Sequence, residues 1–333
     1  ISILITMKKI TKAKWGTPKT IITVILILLV GMGIGFAWGQ TKSKNKAATS
    51  ADNAPKKIQI PKSDKPELAF YVMSFCPYGN QMEDILRPVF DLIGSKAEIR
   101  PHYIFEKIDN LSETCKLMAG DITKCPDYVA NKYFATKEEC EKVIKTNNKE
   151  CNDPKNYIKS SDGVYYASLH GRVEANENIR EICAYNLATD KKLWWDFISQ
   201  VNKNCTSQNA DSCWEEQAKK AGLDSAKITE CFDKDGIKLI EKEIALTTKN
   251  QITASPTVLV NGINFPPEDA YTQDGKGSVV LGKVVIPQAE FRTPNTQKEA
   301  LCAGFKKVPE ECKTILKQDQ KAAAAAATAG GCQ

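Results

Sequence analysis

Residues 69–79, Ala-Phe-Tyr-Val-Met-Ser-Phe-Cys-Pro-Tyr-Gly, constrain this chain more than any other stretch. An apolar run ends at Cys76, and Pro77 then takes what reads as the first position of a helix. Proline suits that position, because its missing N–H would go unpaired there anyway and its fixed φ is already helical. A strand therefore delivers a sulfur to a helix N-terminus, where the helix dipole favours a thiolate. Three residues on, where a second cysteine would complete a Cys-x-x-Cys pair, stands Gly79, and the chain has no such pair anywhere.

The pattern around this stretch sets the organisation. Residues 68–74 read as a buried strand, 80–93 as a helix kinked at Pro88 and ended by Gly94, and 97–105 as a second strand. From 111 to 250 the pattern is helical and cysteine-rich, with helices predicted at 126–146, 176–188, 191–203, 211–221 and 234–250 and no strand. Pro256 then opens a strand at Thr257–Val260, closed by the Asn261-Gly262 turn. Residues 278–286 form its partner strand or a loop hairpin, and 294–306 a final helix. The folded domain is expected over 67–316, with an Ala-rich tail at 317–333.

The N-terminal part reads differently. Residues 20–39 carry no charge and suffice for one transmembrane helix, with Trp15 and Trp38 as interfacial anchors. Lys8, Lys9, Lys12, Lys14 and Lys19 precede it, so 1–19 is a basic cytoplasmic segment and the main domain faces the extracytoplasmic side. An uncleaved anchor is preferred to a cleaved signal peptide because the apolar run is long. Residues 40–66, rich in Lys, Ser, Ala, Asn and Pro, read as a flexible linker. The net charge of +6 is lopsided: residues 1–65 carry +10 and the remainder −4. The domain itself is mildly acidic, which gives no support for a nucleic-acid partner.

Twelve cysteines fit an oxidising compartment. Metal is not expected, with no Cys-x-x-Cys and only His102 and His170. Nor is any cofactor. Cys302 and Cys312 flank a short turn and are expected to pair. Cys183, Cys205, Cys213 and Cys231 are expected to pair among themselves, as are Cys115, Cys125, Cys140 and Cys151. With Cys76 and Cys332 set aside, ten cysteines remain for five bridges, and Cys332 is left as a free thiol, a mixed-disulfide site or an intermolecular link. His102 reads as a core or edge residue, His170 as a loop residue, and Trp194 and Trp195 as packing the helical insertion onto the core.

Several longer motifs carry a resemblance. Asn178-Ile-Arg-Glu-Ile-Cys183, Leu193-Trp-Trp-Asp-Phe-Ile-Ser-Gln-Val-Asn-Lys-Asn-Cys205, the stretch from Cys213-Trp-Glu-Glu-Gln to Thr-Glu-Cys231, Ser255-Pro-Thr-Val-Leu-Val-Asn-Gly262 and Ala300-Leu-Cys-Ala-Gly-Phe305 resemble, in order, the luminal region of plant vacuolar sorting receptors. That resemblance spans 178–312. The Cys76 region resembles the DsbA-type and lysosomal thiol reductase families. Together they imply an α/β, thioredoxin-like fold with a long disulfide-rich helical insertion, preceded by one transmembrane helix. The resemblance further implies that Pro256 is cis and packs against Cys76, with the Ser255 backbone free to pair with a bound peptide. Pro77, Tyr78, Ser255 and Pro256 are then the candidate substrate-binding residues. Neither a protease-associated domain nor EGF-like repeats are present in the sequence, so cargo sorting is not implied.

Cys76 is the candidate catalytic residue. With Gly79 in place of a resolving cysteine, three readings stay open. Cys76 is a monothiol nucleophile whose mixed disulfides are released by an external thiol; it is a buried remnant in a fold used to bind peptides; or it is oxidised to another cysteine of the chain. The partners expected are extracytoplasmic proteins or peptides, the lipid bilayer through 20–39, and an external thiol reductant.

Overall fold

A computed structural model describes residues 55–317 and Cys332. The expected membrane span at 20–39, the segment before it and most of the tail lie outside the described residues. Among those described, no helix is long and apolar enough to cross a membrane. The described chain forms two units: residues 112–152, and a main unit of residues 55–111 with 153 onward.

In chain order the elements run β1 (Lys56–Ile58), β2 (Glu67–Val72), α1 (Pro77–Ile93), β3 (Glu98–Tyr103) and β4 (Glu106–Ile108). The smaller unit holds α2 (Leu111–Ala119), α3 (Cys125–Ala130) and α4 (Lys137–Cys151). The chain continues through β5 (Ile158–Lys159), β6 (Tyr165–Ala167), α5 (Arg172–Leu187), α6 (Lys191–Asn204), α7 (Ala210–Lys220) and α8 (Ser225–Lys249). It closes with β7 (Thr257–Val260), β8 (Ile263–Asn264), β9 (Ser278–Leu281), β10 (Val284–Pro287) and α9 (Pro294–Ala303).

The central sheet has the order β3-β2-β7-β8. β2 and β3 run parallel, joined through α1, while β7 and β8 return antiparallel. Side chains of β2 alternate between faces, as the period of a strand requires. Leu68, Phe70 and Val72 enter the main core with Ile85, Leu86 and Val89 of α1. Ala69 and Tyr71 join Leu259, Leu246 and Ile252 in a second cluster. Trp194 and Trp195 of α6 are fully buried; Trp195 stacks on Phe70 at 5.8 Å and meets Trp194 edge-on at 4.9 Å. Each such aromatic pair adds ~0.5–1.5 kcal/mol beyond its burial. His102 lies in β3, hydrogen-bonded to Glu243 at 2.9 Å and stacked on Tyr71.

The Asn261-Gly262 turn has φ of 47° and 83°, the left-handed pair that a tight hairpin needs. Asn261 also ties the strand ends together: its side-chain oxygen accepts from Glu67 N at 2.8 Å and its amide donates to Pro61 O at 2.6 Å.

Four expectations are corrected. Order begins earlier than the linker reading allowed: β1 pairs in parallel with β9, and Ile58 and Ile60 are buried. Two isoleucines in a Lys-rich stretch were enough once a strand edge was available to receive them. Second, the insertion is not all helical, since β5 and β6 build a three-stranded sheet with β4. Those strands are two and three residues long, too short for a period-2 pattern to register. Third, the helix expected at 126–146 is two helices. Lys132 adopts φ 63°, and Thr136 caps α4 by accepting from Glu139 N, while Glu139 reaches back to Ala135 N. That Thr-x-x-Glu signature was readable in the sequence. Finally, α8 starts at Ser225, with Asp224 accepting from Ala226 N and Lys227 N, and not at 234.

In the smaller unit, Cys115–Cys151 and Cys125–Cys140 are bridged. Its core is little more than Ala119, Cys125, Cys140 and Ile144. In the main unit the bridges are Cys183–Cys231, Cys205–Cys213, Cys302–Cys312 and Cys76–Cys332.

Candidate functional site

After Val72 the chain turns through Met73, Ser74 and Phe75 and enters α1. Cys76 is the N-cap, its N–H bonding to Met73 O at 3.0 Å, and Pro77 is the first helical residue. No side chain caps this end and its first turn carries no acid. The helix end therefore keeps its positive character at the sulfur. α5 fixes the turn from behind: Asn178 Oδ1 accepts from Ser74 N at 3.0 Å and Ser74 Oγ at 2.7 Å, and Glu174 Oε1 accepts from Phe75 N at 2.9 Å. The same Glu174 oxygen holds His170 Nδ1 at 2.8 Å, and this hydrogen bond raises the His170 pKa against the opposing effect of burial. His170 is thus tied into the support of the turn.

Facing Cys76 is the Ser255-Pro256 peptide, which is cis. Ser255 is fully buried, and its hydroxyl accepts from Met73 N at 3.2 Å. Its carbonyl oxygen lies 3.5 Å from Cys76 Sγ. Gly79 packs beneath: a β-carbon there would come within 2.9 Å of Ser255 Oγ and 3.3 Å of Met73 O. Any side chain at position 79 would therefore press on the Ser255 hydroxyl and the turn before Cys76.

The sulfur that meets Cys76 comes from far along the sequence. Cys332, 256 residues away, forms the disulfide, with Cα atoms 6.0 Å apart. Its backbone pairs with Ser255 as an antiparallel bridge, Cys332 N donating to Ser255 O at 2.8 Å and Ser255 N donating to Cys332 O at 2.9 Å. The Ser255 edge, expected to hold a bound peptide, holds a residue of the chain itself. Of the three readings of Cys76, oxidation within the chain is the one observed. The expectation of Cys332 as a free or intermolecular thiol is corrected, and with it the count of five bridges. Cys76 is wholly buried and Cys332 partly exposed. Around them Pro77 is exposed, and Tyr78 and Pro256 are half-buried. Arg292, from the segment between β10 and α9, lies over the Tyr78 ring at 5.6 Å. Nothing in the local sequence marked Arg292, since only the fold brings it to α1.

Beneath the N-terminal half of α1 lies a group of buried carboxyls. Burial raises the Glu83 pKa to about 8, although Asn202 Nδ2 donates to it at 2.6 Å. Burial also raises Glu177, to about 7, against the pull of Arg180, whose Nη1 donates at 3.0 Å. Glu181 is pushed well up by burial and then by Glu83 and Glu177. Glu177 and Glu181, one turn apart in α5, and Glu83 in α1 were not singled out from sequence. Among the described residues no group of His, Cys, Asp and Glu side chains is arranged to hold a metal ion.

The family model of the vacuolar sorting receptor thioredoxin-like domain matches residues 96–267, more than half of the chain. Vacuolar-sorting receptor 5 of Arabidopsis thaliana is 26% identical over 110 residues, covering 29% of this chain and 18% of the receptor. The chain thus spans less than a fifth of that receptor's length. Among solved structures, the reduced form of the disulfide bond oxidoreductase DsbG of Mycobacterium tuberculosis superposes with a TM-score of 0.37 and 16% identity. The superposition covers 83% of this chain and 93% of that one. Reduced DsbA of the same organism gives a TM-score of 0.36 and 15% identity, over 82% and 96%. The matched family segment includes Ser255 and Pro256, and stops short of Cys76 on one side and Cys332 on the other.

Proposed function

From a chain that belongs to the vacuolar sorting receptor thioredoxin-like domain family, we propose thiol-disulfide exchange on extracytoplasmic proteins or peptides, centred on Cys76. One observation carries this reading: a disulfide at an uncapped helix N-terminus, held against the Ser255 backbone. Opening such a bond leaves Cys76 as a thiolate favoured by the helix end. The site chemistry needs no metal. The uncharged run at 20–39 supplies a membrane anchor and the bilayer contact in this proposal. Six disulfides support an oxidising compartment for the main domain. An external thiol reductant would complete the cycle.

A second reading has its own support. The Ser255–Cys332 bridge supports it, because the Ser255 main chain already pairs with a second residue there, the kind of pairing a peptide-binding edge uses. The two are separated with Cys332→Ser, which leaves Cys76 as a thiol. In the exchange reading, Cys76 of this variant is alkylated by iodoacetamide at pH 7 faster than the same thiol in the unfolded chain, and it takes glutathione from oxidised glutathione. An unreactive Cys76, with peptide capture undiminished in Cys76→Ser, sinks the exchange reading in favour of binding.

A further inference from the structure

The two sulfurs of the Cys76–Cys332 bond are not equivalent. Cys76 has no exposed surface, whereas Cys332 is partly exposed. A thiol arriving from solvent therefore finds no exposed surface at Cys76, which leaves Cys332 as the side of the bond open to approach. The chemistry favours the same choice, because exchange is faster when the departing thiolate is the better stabilised one. Attack at Cys332 Sγ expels Cys76 into the N-terminus of α1, while attack at Cys76 Sγ would expel Cys332, a residue held as an isolated β-bridge to Ser255. The two hydrogen bonds to Ser255 hold the Cys332 backbone in place without engaging its sulfur.

Building on the exchange reading above, we propose that Cys332 is the substrate-facing catalytic residue and carries the mixed disulfide, with Cys76 as the buried leaving group. A thiolate of a dithiol protein or peptide bonds to Cys332 Sγ. The Cys76–Cys332 bond breaks, and its electron pair stays on Cys76 as a thiolate. The second thiolate of the substrate then attacks the first substrate sulfur and expels Cys332 as a thiolate. The substrate loses two electrons and two protons and gains a disulfide. The protein takes up the electrons, and the protons end on Cys76 and Cys332. The disulfide already in the structure is the oxidant, so one turnover needs no other, and the reverse sequence reduces a substrate disulfide.

This arrangement accounts for Gly79. A β-carbon at the third position after Cys76 would already crowd the Ser255 hydroxyl, at 2.9 Å. The second sulfur of the couple is brought in over Ser255 instead.

The test uses the full oxidised chain with reduced glutathione as the probe and iodoacetamide present at pH 7. After an acid quench, mass spectrometry assigns glutathione and alkyl groups to each cysteine. The expected result is glutathione on Cys332 with alkylated Cys76, in at least tenfold excess over the opposite pattern. Equal or greater glutathione on Cys76 overturns the assignment and leaves exchange at this bond standing. An intact Cys76–Cys332 bond under conditions that open the bond of oxidised glutathione overturns both.

Discussion

Gly79 lies so close to Ser255 that a β-carbon at position 79 would stand 2.9 Å from the Ser255 hydroxyl oxygen. That oxygen cannot move away freely, because it accepts from Met73 N at 3.2 Å and so holds the turn leading to Cys76. Gly79→Ala should therefore destabilise the fold by about 1–2 kcal/mol, despite the helix preference for alanine of ~1 kcal/mol. Ser255→Ala should cost about 1–3 kcal/mol by leaving the Met73 donor buried and unpaired. Together the two changes should cost less than their sum by at least ~0.5 kcal/mol, because removing the hydroxyl makes the room that the methyl needs. Urea denaturation of the four proteins without reductant measures this, and strict additivity would show that the two residues do not compete for space.

The buried carboxyls predict how stability varies with pH. Glu83 and Glu177 titrate at about 8 and about 7 in the folded chain, against 4.5 unfolded. Between these limits the folded protein holds protons that the unfolded chain has released, so stability falls as pH rises. His170, also raised, acts in the same direction: its contribution is present below its ordinary value of 6.5 and is lost as pH climbs through its folded value. The unfolding midpoint in urea should be highest near pH 5 and decline toward pH 8.5, by a free energy on the order of a few kcal/mol. Glu83→Gln should flatten that decline. A midpoint that rises over this range would contradict the assignment of neutral, buried carboxyls.

The smaller unit depends on its bridges. Its core of Ala119, Cys125, Cys140 and Ile144 includes two of its own bridging residues. So small an apolar cluster needs covalent staples, and each bridge is worth ~2–5 kcal/mol. Replacing Cys125 and Cys140 by serine should raise hydrogen exchange throughout α3 and α4 by at least tenfold, while β2, α5 and β7 keep their protection. Unchanged exchange in α3 and α4 would mean that the apolar contacts suffice alone.

Much of this arrangement was legible along the chain. The alternation in β2, the Pro77 start of α1, the Pro256 start of β7 and the Asn261-Gly262 turn are local signals, and the elements form where they fall. Trp194 and Trp195 announced the packing of α6, because two adjacent indoles have to be covered. β1 escaped notice because a three-residue edge strand exists only through its partner β9. Arg292 escaped for the same reason, since it reaches Tyr78 only after the chain has turned back past β10.

By itself the sequence determined that a sulfur sits at a helix N-terminus without a second cysteine three residues on. Backbone preference and proline geometry act over a few residues and leave a local trace. Only the tertiary structure decided what that sulfur meets. Cys332 lies 256 residues from Cys76, and no spacing rule connects them. They are joined because Ser255 brings its backbone beside Cys76 and presents an N–H and a C=O that pair with Cys332. The fold thus joins a wholly buried cysteine and a partly exposed one in a single bond.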